Sequence, residues 1–212
     1  MWSGLRRFLV GTPTREVLGT VSKEDGRKFF NLESGKRTVL VFGGSLGAAS
    51  INNATLKMVD ELMNAGRQLI WQTGQAEFER VQSQLRGRSI GNIGWIGPFI
   101  EKMEYAYAAA DVVICRAGAL TIAELARVGL PAILIPYPTA AADHQTLNAR
   151  TLVDAGAAIL VKDAELQQRL KKELFGLLED DRRRTALALA SKRLGKPEAG
   201  KNIALKTLEL IC

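Results

Sequence analysis

From residue 38 onward, short runs of apolar and β-branched residues alternate with stretches of helical periodicity, and this alternation limits the possible folds more than any other feature. Residues 38–42 (Thr-Val-Leu-Val-Phe) show no polar alternation and read as a strand buried on both faces. A small-residue turn at 43–48 follows, and then a helix to about Ala65. Residues 68–73, 93–96, 111–115, 131–135 and 157–161 read as five further strands. The helices between them cover 76–85, a stretch ending near Ala110, 120–128 and about 144–154. Strands joined through helices take right-handed crossovers and pair in parallel. The expectation is therefore an α/β domain, a doubly wound six-stranded parallel sheet with helices on both faces.

Beyond Val161 only helices remain, over 164–178, 182–194 and 199–211. The last carries Ile203, Ala204, Thr207, Leu208 and Ile211 on one stripe, which must lie against something: this same sheet, or another domain. Residues 1–37 lack periodicity and read as an incoming linker plus an edge segment. The plan is thus a linker over 1–37, a sheet domain over 38–194 and a terminal helix within 195–212.

Composition narrows the function classes. With 212 residues, 47% hydrophobic and 24% charged, the chain has enough apolar surface for a real core, which excludes disorder. No apolar run approaches the ~20 residues of a membrane span, and the apolar stretch near Met1 is too short for a signal peptide. Cys115 and Cys212 are too few for a disulfide framework, and no zinc-type cluster is present, so a reducing cytoplasm fits. The net charge of +7 sits at the two ends: residues 1–37 carry eight Lys and Arg against four Asp and Glu, while 38–161 carry nine against ten. With aromatics at only 6%, this pattern speaks against a nucleic-acid stripe. Basic flanks suit either a solvated surface or attraction to an anionic membrane.

In an open parallel sheet, ligands bind beyond the carboxyl ends of the strands, so the loops after strands carry the chemistry. The first, Gly43-Gly44-Ser45-Leu46-Gly47-Ala48, suits an oxyanion. It matches neither G-x-G-x-x-G nor G-x-x-x-x-G-K-[ST], which disfavours dinucleotide and P-loop chemistry. The second runs Arg116-Ala117-Gly118-Ala119-Leu120-Thr121-Ile122-Ala123-Glu124. Its small residues open a helix whose free amides near Ala119, Leu120 and Thr121 can cradle a diphosphate. Glu124, one turn in, can accept both hydroxyls of a ribose, or serve as a plain dipole partner. The third loop follows the fifth strand and brings Asp143, His144, Gln145 and Asn148 to a helix start, where such groups suit sugar hydroxyls. Asp143 equally fits an N-cap and Asn148 a structural hydrogen bond. His144 is the one histidine, but no nucleophile or second carboxylate accompanies it as a general base should require.

Taken in order, G-G-S-x-G-A, P-F-I-x-x-M-x-x-A-Y-x-x-A-D, R-A-G-A-L-T-x-x-E-L and P-x-x-x-x-D-H-Q-x-x-N-A closely resemble the MurG family. That family transfers N-acetylglucosamine from UDP-GlcNAc to lipid I, giving lipid II in peptidoglycan synthesis. Residues 11–15 (Gly-Thr-Pro-Thr-Arg) look like the family's G-N-P-V-R, with Thr12 and Thr14 as departures. The resemblance covers only the C-terminal, donor-binding half of a two-domain GT-B fold, and implies a Rossmann-like domain. It carries donor-binding roles over to this chain: Arg15 in the interdomain segment, Ser45 near diphosphate and sugar, and the Ile100 backbone at the uracil edge. Ala119, Leu120 and Thr121 correspond to the diphosphate-holding helix start, Glu124 to the ribose clamp and Gln145 to the partner of GlcNAc hydroxyls. Leu46 stands where Gln is frequent.

The resemblance also implies an inverting hexosyltransferase acting at the cytoplasmic side of the cell membrane as a peripheral protein, with an undecaprenyl-linked acceptor. It implies no cofactor and no metal, and no Asp-x-Asp motif is present. No catalytic residue is assigned to this chain, since the family's candidate base and acceptor surface belong to its N-terminal half. The competing expectations are a non-catalytic UDP-sugar-binding module or subunit, and a related lipid glycosyltransferase.

Overall fold

The computed structural model describes residues 8–88, 93–140 and 143–209. Six strands form one sheet: β1 (Thr38–Phe42), β2 (Gln68–Gln72), β3 (Gly94–Gly97), β4 (Val112–Cys115), β5 (Ala132–Leu134) and β6 (Ala158–Leu160). Their order is β3-β2-β1-β4-β5-β6, and every pairing is parallel. The expected doubly wound, Rossmann-like α/β sheet is what the chain forms.

Alternation along the strands builds two cores. Val39 and Val41 of β1 face one apolar cluster, while Leu40 and Phe42 face the other. The first cluster is closed by α2 (Ala49–Asn64), α3 (Phe78–Leu85) and α7 (Leu166–Glu179), through Ile51, Met58, Leu62, Val81, Leu170 and Leu174. The second is closed by α4 (Met103–Ala109), α5 (Ala119–Val128) and α6 (His144–Asp154), through Tyr107, Leu125 and Leu152. At roughly 1.5–3 kcal/mol for each large side chain removed from water, these two layers dominate the stability and hold the strand ends rigid.

Residues 23–29 form a helix that no periodicity announced. This α1 (Lys23–Phe29) is capped by the Ser22 side chain, which accepts from the Asp25 amide. It packs on α4 so closely that a Cβ at Gly26 would lie 2.6 Å from the Tyr105 carbonyl oxygen. Phe29 lies tilted against Tyr105 of α4 (4.6 Å between centroids), and Phe30 meets Trp95 of β3 edge-to-face (5.5 Å). Tertiary packing makes this helix, because a seven-residue segment rich in charge could not hold itself together.

At the other end, α8 (Asp181–Leu194) returns along α5, and α9 (Ala199–Leu208) follows. Of α9 only Ala199 is buried; Ile203, Leu205 and Leu208 remain 36%, 49% and 58% exposed. Its apolar stripe therefore does not lie on this sheet, while Ile211 and Cys212 fall outside the described residues. No helix among the described residues is long and apolar enough to cross a membrane.

Candidate functional site

β1 and β4 are neighbours, yet β1 leads into α2 on one face of the sheet and β4 into α5 on the other. Their carboxyl ends diverge and leave a crevice at this switch point. A cleft of about 730 Å³ opens there, walled by the 43–48 loop, Ser50, Arg116, Gly118, Thr121, Tyr137, Gln145 and Asp163.

The 43–48 loop is shaped by its own chain. Gly44 and Gly47 have φ of +92° and +82°, and the Gly47 amide donates to the Gly44 carbonyl at 3.1 Å. Gln72, buried at the end of β2, donates from Nε2 to the Gly44 carbonyl and accepts at Oε1 from the Ile100 amide, both at 2.8 Å. One side chain thus ties the glycine loop to the segment before α4. Below it, Trp71 Nε1 donates to Asn52 Oδ1, and Asn52 Nδ2 donates to the Thr73 carbonyl, pinning α2 to β2.

The start of α5 is built differently. No side chain caps it, and the first amide with an intrahelical acceptor is that of Ile122, which donates to Gly118 O at 2.9 Å. The amides of Ala119, Leu120 and Thr121 precede it, at the positive end of the helix dipole. Gly118 has an ordinary φ of −67°, and a Cβ there would meet nothing nearer than Thr121 Oγ1 at 3.7 Å. Neither backbone strain nor packing demands a glycine there; the preference for glycine over alanine at an N-cap and room for close approach from the cleft are the uses left.

One turn along α5, Glu124 is 7% exposed, and its Oε2 accepts from the Tyr107 hydroxyl at 3.0 Å. Burial, and then the charge of Glu124, push the Tyr107 phenol well above its ordinary pKa, so it stays a neutral donor. The Arg15 guanidinium lies 3.6 Å from Glu124 Oε1 and 3.6 Å from Glu104 Oε2. Arg15, from the segment before α1, therefore reaches the carboxylate pair from outside. Arg127, on the same helix as Glu124, holds residues 14–18 by donating to the carbonyls of Glu16 and Leu18 and to Thr14 Oγ1.

Arg116 organises the opposite wall. Its guanidinium pairs with Asp163 Oδ1 at 2.5 Å, donates to the Ile135 and Pro136 carbonyls, and donates to Ser50 Oγ at 2.9 Å. It also lies 5.4 Å from the centroid of the Tyr137 ring. The Tyr137 amide donates to Gln145 Oε1 at 3.0 Å, and Asn148 Nδ2 donates to the Ala117 carbonyl at 3.1 Å. Asn148 is thus a strut between α6 and the loop after β4. Asp143 occupies the N-cap position of α6 with φ +51° and forms no side-chain cap bond.

Among the residues singled out above, the fold brings Ser45, Thr121 and Gln145 to one cleft. It places Arg15 with Glu124, and connects Ile100 to the glycine loop through Gln72. Ala119 and Leu120 are exposed in the first turn of α5, between Gly118 and Thr121, and are not among the residues that wall the cleft. Gln72, Tyr107, Arg116, Tyr137 and Asp163 were not read as site residues. A glutamine at the carboxyl end of a strand with an apolar centre is the available signal for the first. Cys115 is fully buried and burial pushes its thiol up, so it is no nucleophile. No group of three His, Cys, Asp or Glu able to hold a metal occurs among the described residues.

Residues 38–203 match the model of the glycosyltransferase family 28 C-terminal domain. The chain belongs to this family. It is 45% identical over 193 residues to a protein of Chlorobium phaeobacteroides named UDP-N-acetylglucosamine–N-acetylmuramyl-(pentapeptide) pyrophosphoryl-undecaprenol N-acetylglucosamine transferase, covering 91% of this chain and 52% of that one. A protein of the same name from Chlorobium limicola is 41% identical over 204 residues, covering 96% and 55%. Among solved structures, Acinetobacter baumannii MurG superposes with a TM-score of 0.70 at 32% identity, over 88% of this chain and 53% of that one. This family 28 C-terminal domain thus spans about half the length of the curated relatives it matches.

Proposed function

We propose that this chain is the donor-binding half of an inverting N-acetylglucosaminyltransferase that moves GlcNAc from UDP-GlcNAc to the lipid I acceptor, giving lipid II. The observation that carries this reading is the uncapped start of α5 at the sheet's switch point, with a buried carboxylate one turn further in. The amides of Ala119, Leu120 and Thr121 take the diphosphate, and Glu124, with one oxygen held by Tyr107, takes the ribose hydroxyls. Ile100 lies at the base, Arg15 beside the nucleoside, and Ser45 and Gln145 toward the sugar. When an acceptor hydroxyl displaces UDP at the anomeric carbon, negative charge grows on the departing diphosphate. Amides and a helix dipole already fixed in place stabilise that charge without reorganising.

In this reading residues 1–37 are the interdomain linker, 38–194 the donor domain, and the uncovered α9 stripe within 195–212 packs on an acceptor domain. That domain supplies the acceptor surface and the general base. Basic flanks hold the enzyme to the anionic cytoplasmic face of the membrane as a peripheral protein. Calorimetric titration with UDP tests the core of the proposal. Glu124→Ala should weaken binding by about 1–3 kcal/mol, the scale of leaving buried polar groups unmet. Equal affinity in the wild type and Glu124→Ala would remove the ribose clamp.

A further inference from the structure

Tyr137 is a large aromatic side chain that the core does not use. It is 48% exposed, lines the cleft opposite the glycine loop, and stands on the segment between β5 and α6. Surface aromatics are commonly loose, but this one is fixed from several sides. Its amide donates to Gln145 Oε1, its carbonyl accepts from the Ala140 amide at 3.1 Å, and the Arg116 guanidinium lies over one face of its ring, 5.4 Å from the centroid. Arg116 in turn is only 12% exposed and anchored on Asp163 and Ser50, so the ring rests on a rigid support.

The bond to Gln145 has a second consequence. With Oε1 engaged by the Tyr137 amide, the Gln145 side chain is oriented, and its Nε2 is the donor left to a ligand. Ser45, also at the cleft, offers a hydroxyl. An immobilised aromatic face beside an oriented amide and a hydroxyl matches one chemical class well. A hexopyranose has an apolar face of axial C–H bonds and an edge of hydroxyls, so it can stack and hydrogen-bond at once.

We propose that Tyr137 forms the apolar wall of the sugar subsite, packing against the C–H face of the donor hexose while Gln145 binds its hydroxyl edge. The proposal rests on the donor-site reading above and adds a residue that sets affinity for the sugar rather than for the nucleotide. It places Tyr137 in contact with substrate and makes Arg116, which lies against the ring, a positioning residue.

The test compares UDP with UDP-GlcNAc on the wild-type chain, Tyr137→Phe and Tyr137→Ala. Tyr137→Ala should raise the Kd for UDP-GlcNAc about tenfold while the Kd for UDP changes less than about twofold, and Tyr137→Phe should keep both. Retained UDP binding by Tyr137→Ala also shows that the variant is folded. Proton NMR adds a readout that a purely structural role would not move: pyranose C–H resonances shift upfield on binding to wild type and Tyr137→Phe, but not to Tyr137→Ala. Equal losses for UDP and UDP-GlcNAc, or no loss for either, would overturn the sugar wall. A wild-type chain that binds neither ligand would overturn the donor site itself, an outcome distinct from the others.

Discussion

The two loops that flank the crevice contain glycines for opposite reasons. After β1, Gly44 and Gly47 adopt left-handed φ values, a Cβ at Gly47 would fall 2.2 Å from the Thr73 carbonyl oxygen, and one at Gly43 would fall 2.4 Å from Ala48 Cβ. These glycines are required by the fold, with or without a ligand. After β4, Gly118 has ordinary backbone angles and space for a Cβ, and its neighbours' amides have no cap. There the chain leaves room that its own packing does not use. A glycine-rich stretch is therefore poor evidence for a ligand until its internal demands are subtracted, and the plainer loop is the better candidate.

The largest effect should come from breaking the first loop. In Gly47→Ala, left-handed strain adds to a collision with backbone that cannot swing aside, a combined loss on the order of 3 kcal/mol. Denaturant unfolding should show that loss, and UDP binding should fall with it because the loop and the Gln72 bridge to Ile100 are displaced. Native stability in this variant would mean the loop relaxes freely, and the contrast between the two turns would dissolve.

Gly118→Ala probes the other side and should behave in the reverse manner. Alanine is a poorer N-cap than glycine, so stability falls by at most about 1 kcal/mol. UDP affinity should fall about tenfold if the proposed diphosphate site is right, because the added methyl group would stand beside the first amides of α5. A variant binding UDP as well as the wild type would show that Gly118 is incidental and that the anion is held elsewhere.

The architecture was legible because strands buried on both faces leave uninterrupted apolar runs, and helices between them force parallel pairing. The α1 helix was not, since its stripe is short and its stability comes from the close approach of Gly26 to α4. At the candidate site, the depth of Glu124 in a small-residue helix start leaves it open between a ribose contact and a dipole partner. Its partnership with Arg15 and Tyr107 depends on segments 109 and 17 residues away meeting in three dimensions, which no local spacing encodes. Asn148 was open between a sugar contact and a strut, and its bond to the Ala117 carbonyl shows the strut. Arg116 stands inside the most specific motif, but its role is not legible there, because its partners Ser50 and Asp163 come from the first turn of α2 and the turn after β6.

The smallest effect on binding is expected at the far ends of the same two strands. Asp111, just before β4, accepts from the Thr38 amide at 2.8 Å and from Lys23 at 2.6 Å, with Arg37 at 3.4 Å. Burial works against its charge, but the hydrogen bonds from Lys23 and Thr38 and the nearby cations outweigh it, holding the carboxyl below its ordinary 3.8. A depressed pKa means that the contribution to stability is present above the unfolded value and is lost as pH falls through the folded one. Lys23 and Arg37 are 42% and 34% exposed, so solvent screens the pairing and Asp111→Asn should cost only about 1 kcal/mol near neutral pH. Across the acid window the variant should lose stability less steeply than the wild type, and its UDP affinity should be unchanged. The carboxylate's demands are met entirely within the chain, whereas the first amides of α5 have neither an intrahelical acceptor nor a side-chain cap. A drop in UDP affinity in Asp111→Asn would show that the two ends of the sheet are coupled, and that the crevice is not set by its local turns alone.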